Sequence, residues 1–290
     1  MASSYSGGNL LRCHFARKFS LIFLSKPDGF GYNFIGPEKG KMACGEYGEG
    51  KMSSPRQIFS YVENFFKNKE LVNKKRLNAL VTTGPTREYI DPVRFISNRS
   101  SGKQGYAIAK QLQKNGFKTL LISGPTNLEP PIGVEVINVN SSNEMYEKTV
   151  ENLPVDVAIF AAAVADFRAK EISHNKIKKN DFDKLELEKT RDILDYTSKN
   201  NLLRPKLVIG FAAETINLDE NSRKKLDEKN CDWIVANDVS NKKIGFDSEF
   251  NEVKIFKKNK TNTDNIFFNT KEMIAKTLVE KISNELKANG

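Results

Sequence analysis

The chain has 290 residues, with 46 Lys and Arg against 36 Asp and Glu, a formal net charge of +10. A hydrophobic content of 39% argues against a disordered chain, and the longest apolar run, Val157 to Ala165, is far too short to span a bilayer. Three cysteines argue against a disulfide scaffold and fit a reducing, cytoplasmic setting, while two histidines leave little for a His-built metal site or a Ser-His-Asp triad.

Residues 1–76 hold 13 basic and 6 acidic residues, whereas residues 77–290 hold 33 and 30. An excess concentrated outside the globular part is weak support for a nucleic-acid partner. Residues 1–32 form an unassigned leader, expected to be disordered. Arg12, Arg17 and Lys18 without acids resemble a transit peptide to an organelle, and a frayed N-terminus explains them equally well. Gly36 to Gly50 is Gly-dense. A helix is expected from Ser54 to Lys67, with Ser54 as cap and Pro55 in the first turn. Asn68 to Arg76 is charged and Lys-rich, and 70–76 is taken as a linker.

From Leu77 strands and helices alternate. Strands are expected at Leu77–Thr83, Lys118–Ser123, Val134–Val139, Asp156–Ala163, Lys206–Phe211, Asp232–Ala236 and Glu252–Phe256. Helices are expected at Ser101–Asn115, Ser142–Asn152, near Asp219–Lys229, and at Thr270–Leu286. The expected strand Asp156–Ala163, apolar throughout after Asp156, suits a sheet covered on both faces. The alternation predicts an α/β fold, a doubly wound sheet flanked by helices, over 77–290. Such sheets bind ligands beyond the C-terminal strand ends.

Four post-strand loops are unusual. Gly84-Pro85-Thr86-Arg87 leads through Asp91, Arg94 and Asn98 to Ser100-Ser101-Gly102-Lys103 before a helix, which suits either an anion at the helix N-terminus or a plain cap. It is neither a Walker A loop nor a dinucleotide fingerprint, because the leading glycines are missing. Ala161-Ala162-Ala163-Val164-Ala165-Asp166 lets a ligand approach the backbone, with Asp166 holding a cation or a ribose; tight packing with a turn aspartate is the plainer reading. Lys176-Ile177-Lys178-Lys179 lies in a polar segment, as solvated lysines often do. Gly210-Phe211-Ala212-Ala213-Glu214-Thr215 runs into small residues, and Lys225 and Lys229 share a face of the next helix, where they could meet a polyphosphate or simply solvent.

Counting Gly84–Arg87 and Asp91–Gly102 separately and adding Ala236-Asn237-Asp238-Val239-Ser240, six strings occur in one order and spacing. They resemble the phosphopantothenate–cysteine ligase half of the bifunctional coenzyme A biosynthesis protein. The resemblance implies a Rossmann-like fold, a homodimer, and three small-molecule partners: 4′-phosphopantothenate, L-cysteine and CTP. It implies no nucleic-acid or membrane partner. It also implies two steps, an acyl-cytidylate formed with release of pyrophosphate, then attack by cysteine with release of CMP. Lys176 matches the lysine of the first step, where a fixed ammonium offsets crowded negative charge. Asn98 matches the asparagine of the second step, and Arg94 and Gly102 match substrate-holding positions. Asp166 matches a nucleotide- or Mg²⁺-contacting aspartate. Ala161, Ala162, Arg191, Asp192, Ile193, Leu194, Phe211, Lys225 and Lys229 match CTP-contacting positions. The family usually has Asn-Pro where this chain has Thr190-Arg191, and Met where it has Gln104; the latter exchange is expected to be neutral.

Residues 33–69 resemble the last segment of the decarboxylase half, in which Cys44 matches the proton-donating cysteine. The flavin-binding strands and histidine of that half have no counterpart in 1–32. The expectation is therefore a remnant without FMN or decarboxylation, with Cys44 vestigial. Two other readings stay open from the residues alone: an NAD(P)-dependent oxidoreductase on the same kind of sheet, and a non-catalytic nucleotide- or nucleic-acid-binding protein.

Overall fold

In a computed structural model of the chain, the described residues are 35, 38–41, 47–72, 76–181, 184–240 and 248–288. They belong to two compact units that divide between Lys74 and Lys75. The leader 1–32 and Cys44 lie outside the described residues. Among the described residues no helix is long and apolar enough to cross a membrane.

In the first unit β1 (Glu38–Lys41) pairs antiparallel with β2 (Tyr47–Lys51), and α1 (Pro55–Val72) follows. A reciprocal cap starts α1. The Gln57 amide N–H donates to Ser54 Oγ at 3.3 Å, and the Ser54 N–H donates to Gln57 Oε1 at 2.9 Å. The helix runs past Lys67 to Val72, so residues 70–72, expected as linker, are helical.

The second unit is built on one eight-stranded sheet. Its parallel part comprises β3 (Asn78–Thr83), β6 (Lys118–Ser123), β7 (Glu135–Asn138), β8 (Val157–Phe160), β11 (Leu207–Glu214) and β12 (Trp233–Asp238). Two antiparallel strands, β13 (Phe250–Lys257) and β14 (Asp264–Thr270), extend one edge. The spatial order is β7-β6-β3-β8-β11-β12-β13-β14. Short antiparallel pairs stand apart from the sheet: β4 (Arg87–Tyr89) with β5 (Phe95–Ser97), and β9 (Phe167–Ala169) with β10 (Leu187–Lys189).

Helices cover both faces. The core cluster on one face joins α2 (Lys103–Lys114) and α6 (Lys271–Ala288) to the sheet. The cluster on the other joins α3 (Ser142–Glu151), α4 (Ile193–Lys199) and α5 (Leu218–Lys229). Strand residues alternate between them: Ala79, Val81, Val157 and Ile159 face α2 and α6, while Leu80, Ala158 and Phe160 face the others. Leu112 of α2 is fully buried, and truncating such a residue to Ala costs about 2–5 kcal/mol.

Several expected boundaries shift. The run Asp156–Ala163 makes a strand only at Val157–Phe160; beyond it the backbone hydrogen-bonds to the end of β3 and to the loop that follows it. The Ala161 N–H donates to Thr82 at 3.1 Å and the Ala163 N–H to Gly84 at 2.9 Å. Helix α2 begins at Lys103 instead of Ser101, because Gly102 takes a left-handed φ of 74° as its N-cap, a conformation that favours glycine. Helix α4, strand β14 and both small hairpins carried no expectation.

Candidate functional site

From β3 the chain moves outward to β6 and β7, then returns to β8 on β3's other side. That reversal leaves a crevice beyond the C-terminal ends of β3 and β8, the place where open α/β sheets take ligands. A cleft of about 720 Å³ lies there, lined by Thr82 and Thr83, Phe160 to Val164, Phe211 to Ala213, and Asn237 from the neighbouring strand ends.

The loops above β3 and β8 are stitched together. The Ala165 N–H donates to Thr86 Oγ1 at 3.0 Å, and Ser97 Oγ donates to the Thr86 carbonyl at 2.7 Å. Asn98 Nδ2 donates to the Val164 carbonyl at 2.9 Å. Thr190 holds the far side of the same loop: its hydroxyl donates to the Ala165 carbonyl at 2.6 Å and its N–H to the Asp166 carbonyl at 3.0 Å. These bonds fix Ala161, Ala162 and Asp166 against the cleft.

The first turn of α2 contributes Lys103, Gln104 and Gly105 to the lining. A helix's first N–H groups lack intrahelical acceptors, and this turn has no acidic residue and no side-chain cap. Thr83 Oγ1 donates to the Gly102 carbonyl at 2.9 Å and so pins the turn to the end of β3. Gly105 permits that approach, since a Cβ there would stand 2.3 Å from Thr83 Oγ1.

The opposite wall carries α4 and α5. Asp192 caps α4 by accepting the Asp195 N–H at 2.8 Å, and its Oδ2 lies 2.8 Å from Lys229 Nζ. Burial works to raise the Asp192 pKa, but the Asp195 amide, Lys229 and Lys225 outweigh it and hold the pKa below its ordinary value. Lys229 is correspondingly raised, chiefly by its hydrogen bond to Asp192. Lys225 Nζ donates to the Phe211 carbonyl at 3.1 Å. The Arg191 guanidinium lies 4.9 Å from the centroid of the Tyr146 ring, a cation–π shelf at the cleft wall.

The cleft thus gathers Asn98, Gly102, Ala161, Ala162, Asp166, Arg191, Asp192, Ile193, Leu194, Phe211, Lys225 and Lys229. It does not gather Arg94 or Lys176. Arg94 instead donates from Nη2 to the Ile177 carbonyl at 3.1 Å, and its Nη1 lies 3.4 Å from buried Asp91. Asp91 accepts the N–H groups of Val93, Arg94 and Ile177; with the Arg94 charge these outweigh burial and lower its pKa. The pair therefore anchors the segment that carries Lys176, which is exposed. Asp166 is exposed too, and among the described residues no three His, Cys, Asp or Glu side chains converge on one point. A lone carboxylate fits a Mg²⁺ carried on a nucleotide's phosphates better than a dedicated metal cage.

Residue reasoning missed Asn251 and Lys271, which line the cleft although only 4% and 6% exposed. Asn251 is the second residue of β13 and Lys271 the first of α6, elements expected to start within two residues of where they do, but no motif singled out these two side chains. Gln104, read as neutral, also lines the cleft. Its Nε2 donates to the Lys271 carbonyl at 3.3 Å, and its Oε1 is buried without a partner.

Residues 74–286 match the model of the DNA/pantothenate metabolism flavoprotein C-terminal domain. The chain is 44% identical over 231 residues to the coenzyme A biosynthesis bifunctional protein CoaBC of Haemophilus influenzae, covering 79% of this chain and 57% of that protein. It is 42% identical over 229 residues to the protein of the same name from Bacillus subtilis, covering 78% and 56%. The chain therefore spans little more than half the length of these relatives. The crystal structure of the C-terminal domain of a CoaBC superposes with a TM-score of 0.62 at 40% identity, covering 73% of this chain and 96% of that domain.

Proposed function

The chain belongs to the DNA/pantothenate metabolism flavoprotein C-terminal domain family, and from that premise we propose that it is a phosphopantothenate–cysteine ligase of coenzyme A biosynthesis. The carboxylate of 4′-phosphopantothenate attacks the α-phosphorus of CTP, the bond to pyrophosphate breaks, and an acyl-cytidylate forms. The nitrogen of L-cysteine then attacks the acyl carbon, CMP leaves, and the amine loses its proton. The observation that carries this reading is the cleft at the β3–β8 reversal, which joins an amide donor, a carboxylate and lysines around backbone that a ligand can approach closely.

Each group has a role set by its chemistry. A primary amide has two N–H protons; Val164 takes one from Asn98 and orients the group, leaving the second for the acyl oxygen as charge develops there. Lys225 and Lys229 favour the polyanionic nucleotide, and Ile193, Leu194 and Phe211 give its base an apolar bed. Asp166 would hold the Mg²⁺ that accompanies CTP, and the ion would offset charge on the phosphates. Lys176 offsets charge in the first step once its anchored segment closes over bound nucleotide.

The reading includes a homodimer. Exposed Tyr89, Val93 and Phe95 around one hairpin, and Phe167 and Leu187 on the pair beside it, supply an apolar face for a second copy. A light-scattering mass of one chain would count against that part. The test of the activity is mass spectrometry of a reaction with CTP, phosphopantothenate, cysteine and Mg²⁺. Phosphopantothenoylcysteine and CMP should appear in equal amounts, and neither should form when cysteine is replaced by alanine.

A further inference from the structure

The second step needs a nucleophile held within about 3–3.5 Å of the acyl carbon, and a free amino acid carries its α-carboxylate as the handle for that. One end of the cleft has the matching groups. Asn98 is tied to the Val164 carbonyl, Thr190 to the carbonyls of Ala165 and Asp166, and Lys189 stands across the β9–β10 ladder from Phe167. These contacts bring Asn98, Val164, Phe167 and Lys189 together in the cleft lining. Lys189 differs from the other described cations of its ladder. Arg168 lies 2.7 Å from Glu188, and Glu186 takes both Lys170 at 3.6 Å and Lys184 at 3.2 Å. Successive side chains of a strand point to opposite faces, so Glu188 goes with Arg168 while Lys189 goes with Phe167. Among the described residues no carboxylate pairs with Lys189. The wall beside it is apolar: Val164 is half-buried, and Phe167, 46% exposed, lines the cleft.

We propose that this end of the cleft is the subsite for the amino-acid substrate. The Lys189 ammonium pairs with its α-carboxylate, the thiol-bearing side chain lies on the Phe167 ring, and the amine faces the acyl carbon whose oxygen Asn98 holds. The carboxylate and the amine sit on one carbon, so a cation on the ladder that adjoins the Asn98–Val164 tie orients both. The proposal rests on the ligase reading and deepens it by giving L-cysteine its place. The chemistry stays that of the second step: the C–N bond forms, the bond from the acyl carbon to CMP breaks, and the amine proton passes to solvent.

Cysteamine, which is cysteine without the α-carboxylate, isolates this role. Amide formation with CTP and phosphopantothenate is followed with each amine in the full chain and in its Lys189→Met and Lys189→Arg variants. Wild type should favour cysteine over cysteamine by at least about tenfold in kcat/KM. Lys189→Met should lose that preference by raising the KM for cysteine at least about tenfold, while the rate with cysteamine and the KM for CTP stay within about threefold of wild type. Lys189→Arg keeps the cation and should recover most of the preference. Equal use of the two amines by wild type, an unchanged KM for cysteine in Lys189→Met, equal losses with both amines, or a raised KM for CTP in place of cysteine would each overturn the subsite and leave the ligase reading standing. No amide from either amine in wild type would fail that reading and the subsite with it.

Discussion

Asn98 donates its side-chain amide to the Val164 carbonyl at 2.9 Å and thereby ties the end of β5 to the loop beyond β8. Asn98→Asp replaces that donor with an acceptor of the same shape. Amide formation should fall by about 10²–10³. Pyrophosphate release, which does not need a donor at the acyl oxygen, should fall less than about tenfold. Rapid quench with both products quantified separates the steps, and equal losses would remove Asn98 from the second one.

The Asp192–Lys229 contact makes a claim about stability. Asp192→Ala removes the cap of α4 and should cost about 1 kcal/mol in urea denaturation at pH 7. Because the Asp192 pKa is depressed in the fold, its contribution is fully present above the unfolded value of about 3.9 and fades as pH falls through the folded pKa. The gap between wild type and variant should therefore narrow below pH ~4. A gap that widens in acid would contradict the sign of the shift.

The parallel core was legible because its strands are short apolar runs closed by Gly-Pro pairs, as at Thr83 and Ser123, and because α2 repeats Tyr106, Ile108, Ala109 and Leu112 on its buried face. Helix α4 was not legible: its seven residues are too few for a helical period, and only Asp192 marks its start. Strand β14 hid because its exposed Phe267 and Phe268 break the inward–outward alternation of an edge strand. The cleft walls on α4 and α5 followed from family motifs. Asn251 and Lys271 lie outside those motifs, and only the packing of α6 beside α2 brings them to the site.

Gly105→Ala probes the contact between α2 and β3. A Cβ at 2.3 Å from Thr83 Oγ1 and 2.4 Å from Thr83 Cβ cannot be accommodated without displacing the turn that Thr83 pins. The variant should lose about 1–3 kcal/mol of stability. It should also raise the KM for the ligand that contacts the α2 turn. Unchanged stability would show that the helix can move away freely.

Lys176→Gln should slow pyrophosphate release by at least about 100-fold through loss of one fixed ammonium. Asp91→Asn tests the anchor, since it weakens the hold on Arg94 and the Ile177 N–H without touching Lys176. It should lower the rate of the first step while leaving the KM for cysteine unchanged. Single-turnover assays at saturating CTP read both, and a fully active Lys176→Gln would strip that lysine of its role.

Cys231 is fully buried, and burial pushes its thiol up to about 12. A thiol so protonated is a poor nucleophile at neutral pH. Iodoacetamide labelling located by mass spectrometry should leave Cys231 unmodified in the native chain and modify it in urea. Native labelling would mean that the α5–β12 region opens locally.

In the proposed reaction this cleft activates the carboxylate of phosphopantothenate with CTP. A nucleotide panel assayed for pyrophosphate release, with phosphopantothenate and Mg²⁺ but no cysteine, tests it most directly. One pyrophosphate per site should appear with CTP, much less with ATP, GTP or UTP, and none when phosphopantothenate is omitted. Release without phosphopantothenate, or no release with any nucleotide, would contradict it.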